Sequence, residues 1–214
     1  MGSITENKLG GISLIVGIPG ATILWILFTL VLGSDTEPNN FAGQAADNLS
    51  ASTIQNVVWL LPPALLIMAW FGFSVIYQNL KESGIGAPLF RLGLTMFGIN
   101  VIGVAIAFGL SQASVWHGEE GSTYVAAAAG IGSYGGIIGG VGAILSALAL
   151  ASRDDYNKIF AYVVAAVFSI NLIFSIVGWT DISTWKLGNN IAGLCFIVIA
   201  AWSITLGLGL LKKE

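Results

Sequence analysis

The chain has 214 residues, of which 56% are hydrophobic and 9% charged, and its mean hydropathy is +0.86. Soluble domains carry about 25% charged residues, so this composition excludes a soluble globular protein. The net charge of −3 gives no basic surface for nucleic acid, and a single cysteine and a single histidine exclude an internal disulfide and a multi-cysteine or multi-histidine metal centre.

The first apolar run covers residues 9–32 and follows a short polar start. It is longer than the 7–15 residues of a signal-peptide core, so it predicts a retained spanning helix. Pro19 removes one backbone hydrogen bond within it and predicts a kink. Residues 34–55 are acidic and contain neither Lys nor Arg, and they are predicted to form the longest polar connection.

The second and third apolar runs cover residues 56–78 and 89–111. Pro62 and Pro63 lie in the outer third of the second span and predict a local kink or opening there, because proline cannot continue the helical hydrogen-bond ladder. Asn100 lies near the middle of the third span. The small residues that share its helical face indicate that this face meets protein and not lipid; they are Gly93, Gly103, Ala107 and Ser111.

The fourth run, residues 124–152, is rich in glycine. At 100° per residue its glycines share one arc, opposite an arc of bulky apolar side chains. They are Gly132, Gly135, Gly136, Gly139, Gly140 and Gly142. Such a surface lets another helix approach closely within a bilayer.

Two spacings coexist on this surface. Gly132, Gly136 and Gly140 are four residues apart, which suits a right-handed crossing. A heptad set suits a left-handed crossing; it comprises Gly132, Gly135, Gly139, Gly142 and Ser146. The surface could pack on helices of the same chain, contact another subunit, or line a pore in an oligomer.

The last two runs cover residues 159–179 and 191–211. Six spans place both termini on one side of the membrane. Of the eight Lys and Arg residues, Lys186 alone lies on the other side. The positive-inside rule therefore predicts cytoplasmic termini. The predicted fold is an all-α integral membrane protein, a single domain over residues 1–214, with six transmembrane helices in a compact bundle in the cell (plasma) membrane.

The centres of the spans carry no Asp, Glu, Lys, Arg or His, although proton pumps, ion-coupled carriers and voltage sensors normally need such groups. No catalytic residue and no cofactor are predicted. Asn100 and Asn171 are the polar residues near the midplane, and Ser175 and Gly178 share the Asn171 face. The two asparagines predict either interhelical hydrogen bonds or a polar lining for a neutral solute.

The loop between the third and fourth spans holds a group of metal-ligand types, His117, Glu119 and Glu120. Because the two glutamates are sequence neighbours, their side chains tend to point apart, which favours a solvated acidic loop over a metal site.

These observations favour a non-catalytic multi-pass protein, an accessory or structural subunit of a larger membrane complex. The expected partners are the lipid bilayer and other membrane subunits or further copies of the chain, with no nucleic acid. A channel or facilitator for a small neutral solute, lined by Asn100 and Asn171, is the alternative. A weaker alternative is a metal-assisted enzyme that uses the external loop.

Overall fold

The computed structural model describes residues 4–31, 36–37 and 39–213. The α-helices in these ranges are α1 (Glu6–Val31), α2 (Phe41–Ser50), α3 (Thr53–Trp59), α4 (Leu61–Lys81), α5 (Ala87–Ala113), α6 (Gly121–Ala151), α7 (Lys158–Thr180) and α8 (Trp185–Leu211). Short 3-10 helices cover Gly118–Glu120 and Ile182–Thr184. In lipid, a helix satisfies every backbone polar group within its own segment, so apolar runs of about 20 residues fold this way.

The six-span prediction is confirmed. Six helical stretches within the described residues are long and apolar enough to cross a membrane. They are Glu6–Leu27, Thr53–Lys81, Ala87–Ala113, Gly121–Ala151, Lys158–Thr180 and Asn190–Leu211. The second combines α3 and α4, which break at Leu60 with Pro62 and Pro63 in the first turn of α4. Helix α1, in contrast, continues through Pro19.

The spanning helices form a closed ring in chain order. Each packs on the next one along the chain, from α1 and α4 through to α8, and α8 packs back on α1. At this closure, a Cβ added at Gly11 would lie 2.8 Å from the Gly207 carbonyl oxygen. The Ser203 hydroxyl also donates a 2.7 Å hydrogen bond to the Leu14 carbonyl oxygen. The ring is therefore closed by close backbone approach and by a buried hydrogen bond.

The end of the ring at which α1 begins and α8 ends, here called the terminal end, is densely packed. Side chains fully buried there include Leu14, Ile76, Phe90, Leu150 and Leu210. An aromatic cluster lies among them, in which the Phe73 ring centroid is 6.3, 5.5 and 6.1 Å from those of Phe90, Phe97 and Trp202. This end of the bundle is sealed by apolar packing.

Ionic contacts join the connections at the same end. Arg153 pairs with Asp155 at 2.7 Å and donates to the Ser83 hydroxyl, and Lys213 lies 3.7 Å from Asp155. The hydrogen bond from Arg153 holds the pKa of Asp155 below its ordinary value, and burial raises the pKa of Tyr156 to about 12. The start of α1 and the end of α8 lie at this end of the bundle, because Gly11 and Gly207 approach closely. The cytoplasmic placement of this end stays a prediction.

The polar connection contains a helix that the sequence did not predict. Asn40 caps the start of α2, because its Oδ1 accepts a 2.9 Å hydrogen bond from the Gly43 N–H. Ala45 is buried, within 3.4 Å of the position a Cβ would take at Gly121. Helix α2 consequently packs on the start of α6, at the end of the ring opposite the termini.

Candidate functional site

A cavity of about 470 Å³ lies inside the helical ring. All six spanning stretches contribute to its wall, and Phe41 of α2 reaches it as well. Phe97, Phe168 and Ile199 mark its deep end, where it meets the sealed half of the bundle. Its volume falls within the range of about 300–1,000 Å³ found for small-molecule sites. The ring is therefore packed at the terminal end and hollow towards α2.

The cavity wall is predominantly apolar and uncharged. Its aromatic residues are Phe41, Phe97, Phe168, Phe174, Trp179 and Phe196. Polar side chains on the wall are Asn100, Ser133, Asn171 and Ser175. The lining residues include no Asp, Glu, Lys, Arg or His among the described part of the chain. A wall of this kind suits a neutral molecule, because an ion would lose its hydration there without gaining a charged partner.

The two midplane asparagines both line this cavity, on α5 and α7. Asn100 Oδ1 and Asn171 Oδ1 are buried and accept no hydrogen bond from the protein. Asn171 is only 9% exposed. An amide oxygen buried without a donor costs about 1–3 kcal/mol, and these two oxygens are unsatisfied acceptors that lie out of contact with the open cavity. The interhelical hydrogen bond that the sequence offered as one interpretation is not made by either oxygen.

The glycines of the heptad set lie against α5 of the same chain. A Cβ added at Gly142 would lie 2.7 Å from the Gly93 carbonyl oxygen, and one at Gly139 would lie 2.7 Å from Asn100 Cγ. Gly135 approaches Asn100 in the same way, at 3.3 Å from Oδ1. Gly132 is looser, since its added Cβ would lie 3.6 Å from Ala107 Cβ. These glycines let α5 and α6 approach and make room for the Asn100 side chain.

Gly136 and Gly140 have a different environment. A Cβ added at either would meet no atom within 4 Å, and both residues line the cavity. The four-residue spacing of Gly132, Gly136 and Gly140 therefore does not define one helix contact. Part of the glycine surface packs within the chain, and part widens the cavity.

The small residues that share a helical face with each asparagine lie either beside the cavity or beside a neighbouring helix. Ser175 and Gly178, on the Asn171 face, line the cavity. On the Asn100 face, Gly93 and Gly103 lie next to α6, and Ser111 accepts a 3.3 Å hydrogen bond from Asn48 Nδ2 of α2. Phe41 is a lining residue that sequence reasoning missed, because the helix that presents it was not predicted.

The acidic loop lies apart from the cavity. His117 is exposed, and its ring stacks on Tyr124 with centroids 4.4 Å apart and planes 22° apart. Glu120 is exposed at the end of the 3-10 helix Gly118–Glu120, and the side chain of Glu119 lies outside the described residues. No group of three His, Cys, Asp or Glu side chains that could hold a metal occurs among the residues the structure describes.

No family model matches the chain, and no curated protein or solved structure is significantly similar to it. The chemistry of the cavity is therefore the basis on which a function can be inferred.

Proposed function

We propose that the protein is a facilitator that binds a small neutral solute in its central cavity and passes it across the membrane. The observation that carries this proposal is a 470 Å³ cavity whose described wall is uncharged and includes the side-chain amides of Asn100 and Asn171. A solute that forms hydrogen bonds with these amides would offset the loss of its own hydration.

The uncharged wall supports selection for neutral solutes. Ionised groups are costly to bury unless they are paired, and the described lining offers no pairing charge. We therefore expect no ion conductance, and no dependence of solute flux on membrane potential.

The sealed end determines how a solute would pass. Phe73, Phe97 and Trp202 close the terminal end of the cavity, so passage requires this cluster to separate. Collective helix motions of this kind take microseconds to milliseconds, slower than diffusion through an open pore. Because a bound solute must wait for this motion before it is released, flux should saturate with solute concentration.

The test is solute flux into proteoliposomes that contain the purified protein. Wild type is compared with Asn100→Leu and Asn171→Leu, because leucine keeps a γ-branched side chain of similar size and removes the polar amide. Loss of one hydrogen bond worth about 1 kcal/mol lowers solute affinity by about fivefold. Neutral solutes such as glycerol, urea and short alcohols form the panel, and potassium and chloride are the ion controls.

Matched controls lie beside the two asparagines on the lipid-facing surface. Ile99→Leu and Ile170→Leu change neighbouring residues that are 47% and 51% exposed, and both should transport as wild type does. Flux equal to that of empty liposomes for the whole panel, or flux unaffected in both asparagine variants, would contradict the proposal.

An accessory subunit of a larger membrane complex stays a prediction from the sequence. The outer surface of the ring carries large apolar side chains such as Ile102 and Ile173, which suit lipid and a neighbouring subunit equally. The native mass in mild detergent tests this prediction. A monodisperse monomer without a co-purifying protein would count against it.

A further inference from the structure

The cavity owes its width to the surface that α6 presents to it. Every α6 residue on the wall is glycine, alanine or serine. We infer that two of them, Gly136 and Gly140, set the upper size limit of the solute, and that this limit admits a molecule as broad as an aromatic ring. The inference rests on the proposed function, because it concerns the same cavity, and it narrows the solute by its size.

Close helix packing does not explain glycine at these two positions. Among the described residues, a Cβ added at Gly136 or Gly140 would meet no atom within 4 Å, whereas one at Gly139 would lie 2.7 Å from Asn100 Cγ. Neither residue is among the glycines with a positive φ, so the backbone conformation does not require glycine either. Glycine is the poorest helix former after proline, so its use here weakens α6 without any gain in packing.

The space beside these two glycines is the central cavity. Gly136 and Gly140 are four residues apart, so they lie on one face of α6, one turn above the other. Other helices present large aromatic side chains to the same cavity, such as Phe174 of α7 and Phe196 of α8. Because α6 is the part of the wall without large side chains, a larger residue at either glycine would occupy space that is now open to a solute.

The volume of the cavity gives the scale of the solute that fits. An apolar cavity of about 150 Å³ is sufficient to bind benzene, and this cavity measures about 470 Å³. A molecule of the size of urea would leave most of this volume unfilled and would lose contacts with the wall. A ring-sized molecule could contact the exposed backbone of α6 and the aromatic side chains of the other helices at once.

The test measures how large a reagent can reach a cysteine on the cavity wall. Ser175→Cys is placed in the Cys195→Ser background, so the wall carries the single thiol of the chain. The probes are neutral methanethiosulfonates that carry a methyl, benzyl or naphthylmethyl group. The thiolate attacks the sulfur that bears this group, forms a mixed disulfide and displaces methanesulfinate. Mass spectrometry gives the labelling rate of the protein in lipid nanodiscs.

Gly136→Leu and Gly140→Leu narrow the cavity in this background. Gly109→Leu and Gly209→Leu are the matched controls: a Cβ added at either would also meet no atom within 4 Å, and the described cavity wall includes neither residue. Alanine at positions 136 and 140 is the milder change, which keeps the test decisive where a leucine variant fails to fold. Unfolding temperatures identify the variants that are folded.

We expect the naphthylmethyl reagent to label the protein that retains both glycines. Its rate should fall about tenfold or more in Gly136→Leu and Gly140→Leu, because the narrowed cavity must be overpacked to admit it. The methyl reagent should keep its rate in every variant. The ratio of the naphthylmethyl rate to the methyl rate should therefore decrease in the order glycine, alanine, leucine at positions 136 and 140, and should not change in the controls.

Three results would overturn the inference. They are a naphthylmethyl rate in the leucine variants equal to that in the controls, an equal loss of rate for the methyl and naphthylmethyl reagents, and no naphthylmethyl labelling when both glycines are retained.

The labelling and flux experiments can fail separately. Size-dependent labelling without flux of any solute would support the size limit and contradict transport. Flux that depends on Asn100 and Asn171, with the same labelling in all glycine variants, would support the facilitator and contradict the size limit.

Discussion

At the scale of single residues, Gly140 and Gly142 of α6 differ in the space around them, although they are only two positions apart. Gly142 lies where backbone meets backbone, since its added Cβ would be 2.7 Å from the Gly93 carbonyl oxygen and 3.0 Å from the Phe97 nitrogen. Gly140 lies beside the cavity, and its added Cβ would meet no atom within 4 Å. The same substitution should therefore have opposite effects at the two positions.

We predict that Gly142→Ala lowers the free energy of unfolding by about 1–3 kcal/mol, because α5 must move away from α6 to admit the methyl group. Gly140→Ala should be neutral or stabilising by up to about 1 kcal/mol, since alanine is the better helix former and has space. Thermal unfolding in detergent measures both. Equal unfolding temperatures for the two variants would show that α5 and α6 do not approach at Gly142.

At the scale of helices, the sequence predicts the spans better than their contacts. Long apolar runs fix the number of spanning helices, because hydropathy and length are properties of the local sequence. The contact between α5 and α6 could not be chosen from the glycine pattern, because both spacings are present and only packing decides which glycines meet a neighbour. Helix α2 was missed because its ten residues are mostly small or polar and lack a long apolar run.

The local signals for α2 are nevertheless present in the sequence. Asn40 is a good N-terminal cap, and Phe41, Ala45 and Leu49 recur every four residues. The sequence does not predict the contact that holds α2 against the end of α5, here called the anchor. Asn48 Nδ2 lies 3.1 Å from Ser114 Oγ, 3.3 Å from Ser111 Oγ and 3.4 Å from the Ser111 carbonyl oxygen. These contacts join residues more than 60 positions apart.

Removal of this anchor should release α2 from the mouth of the cavity. In Asn48→Ala, the amide hydrogens of residues 41–50 should exchange about fivefold faster or more, since a net hydrogen-bond contribution of about 1 kcal/mol is lost. Leu49→Ala, at a neighbouring position that is 46% exposed, is the matched control and should exchange as wild type does. Hydrogen exchange followed by mass spectrometry measures both, and equal protection in Asn48→Ala would exclude this side chain as the anchor.

At the scale of the whole molecule, the ring is asymmetric along the membrane normal. The terminal end is packed and tied by Arg153, Asp155 and Lys213, while the opposite end holds the cavity beneath α2. This asymmetry depends on contacts between distant parts of the chain, such as the bond between Ser203 and Leu14, which are 189 residues apart. Hydropathy carries no information about such contacts, so the sequence predicts a bundle and gives a path lined by Asn100 and Asn171 only as an alternative.

The orientation of this asymmetric ring decides from which side the cavity is reached. Seven of the eight Lys and Arg residues, all but Lys186, are predicted to lie on the side of the termini, so the positive-inside rule places the packed end in the cytoplasm and the cavity mouth outside. Cys195 is 4% exposed and is the single cysteine, so Cys195→Ser gives a background without thiols. Single cysteines can then be placed at Glu120, near α2, and at Lys212, at the packed end.

In intact cells, a membrane-impermeant maleimide should label Glu120→Cys, and it should label Lys212→Cys only after the membrane is permeabilised. Both positions are exposed, so the difference reports the side of the membrane and not burial. The reverse pattern would contradict cytoplasmic termini and would place the cavity mouth on the cytoplasmic side. In that case a solute would enter from within the cell, and the packed end would be the outer gate of the proposed facilitator.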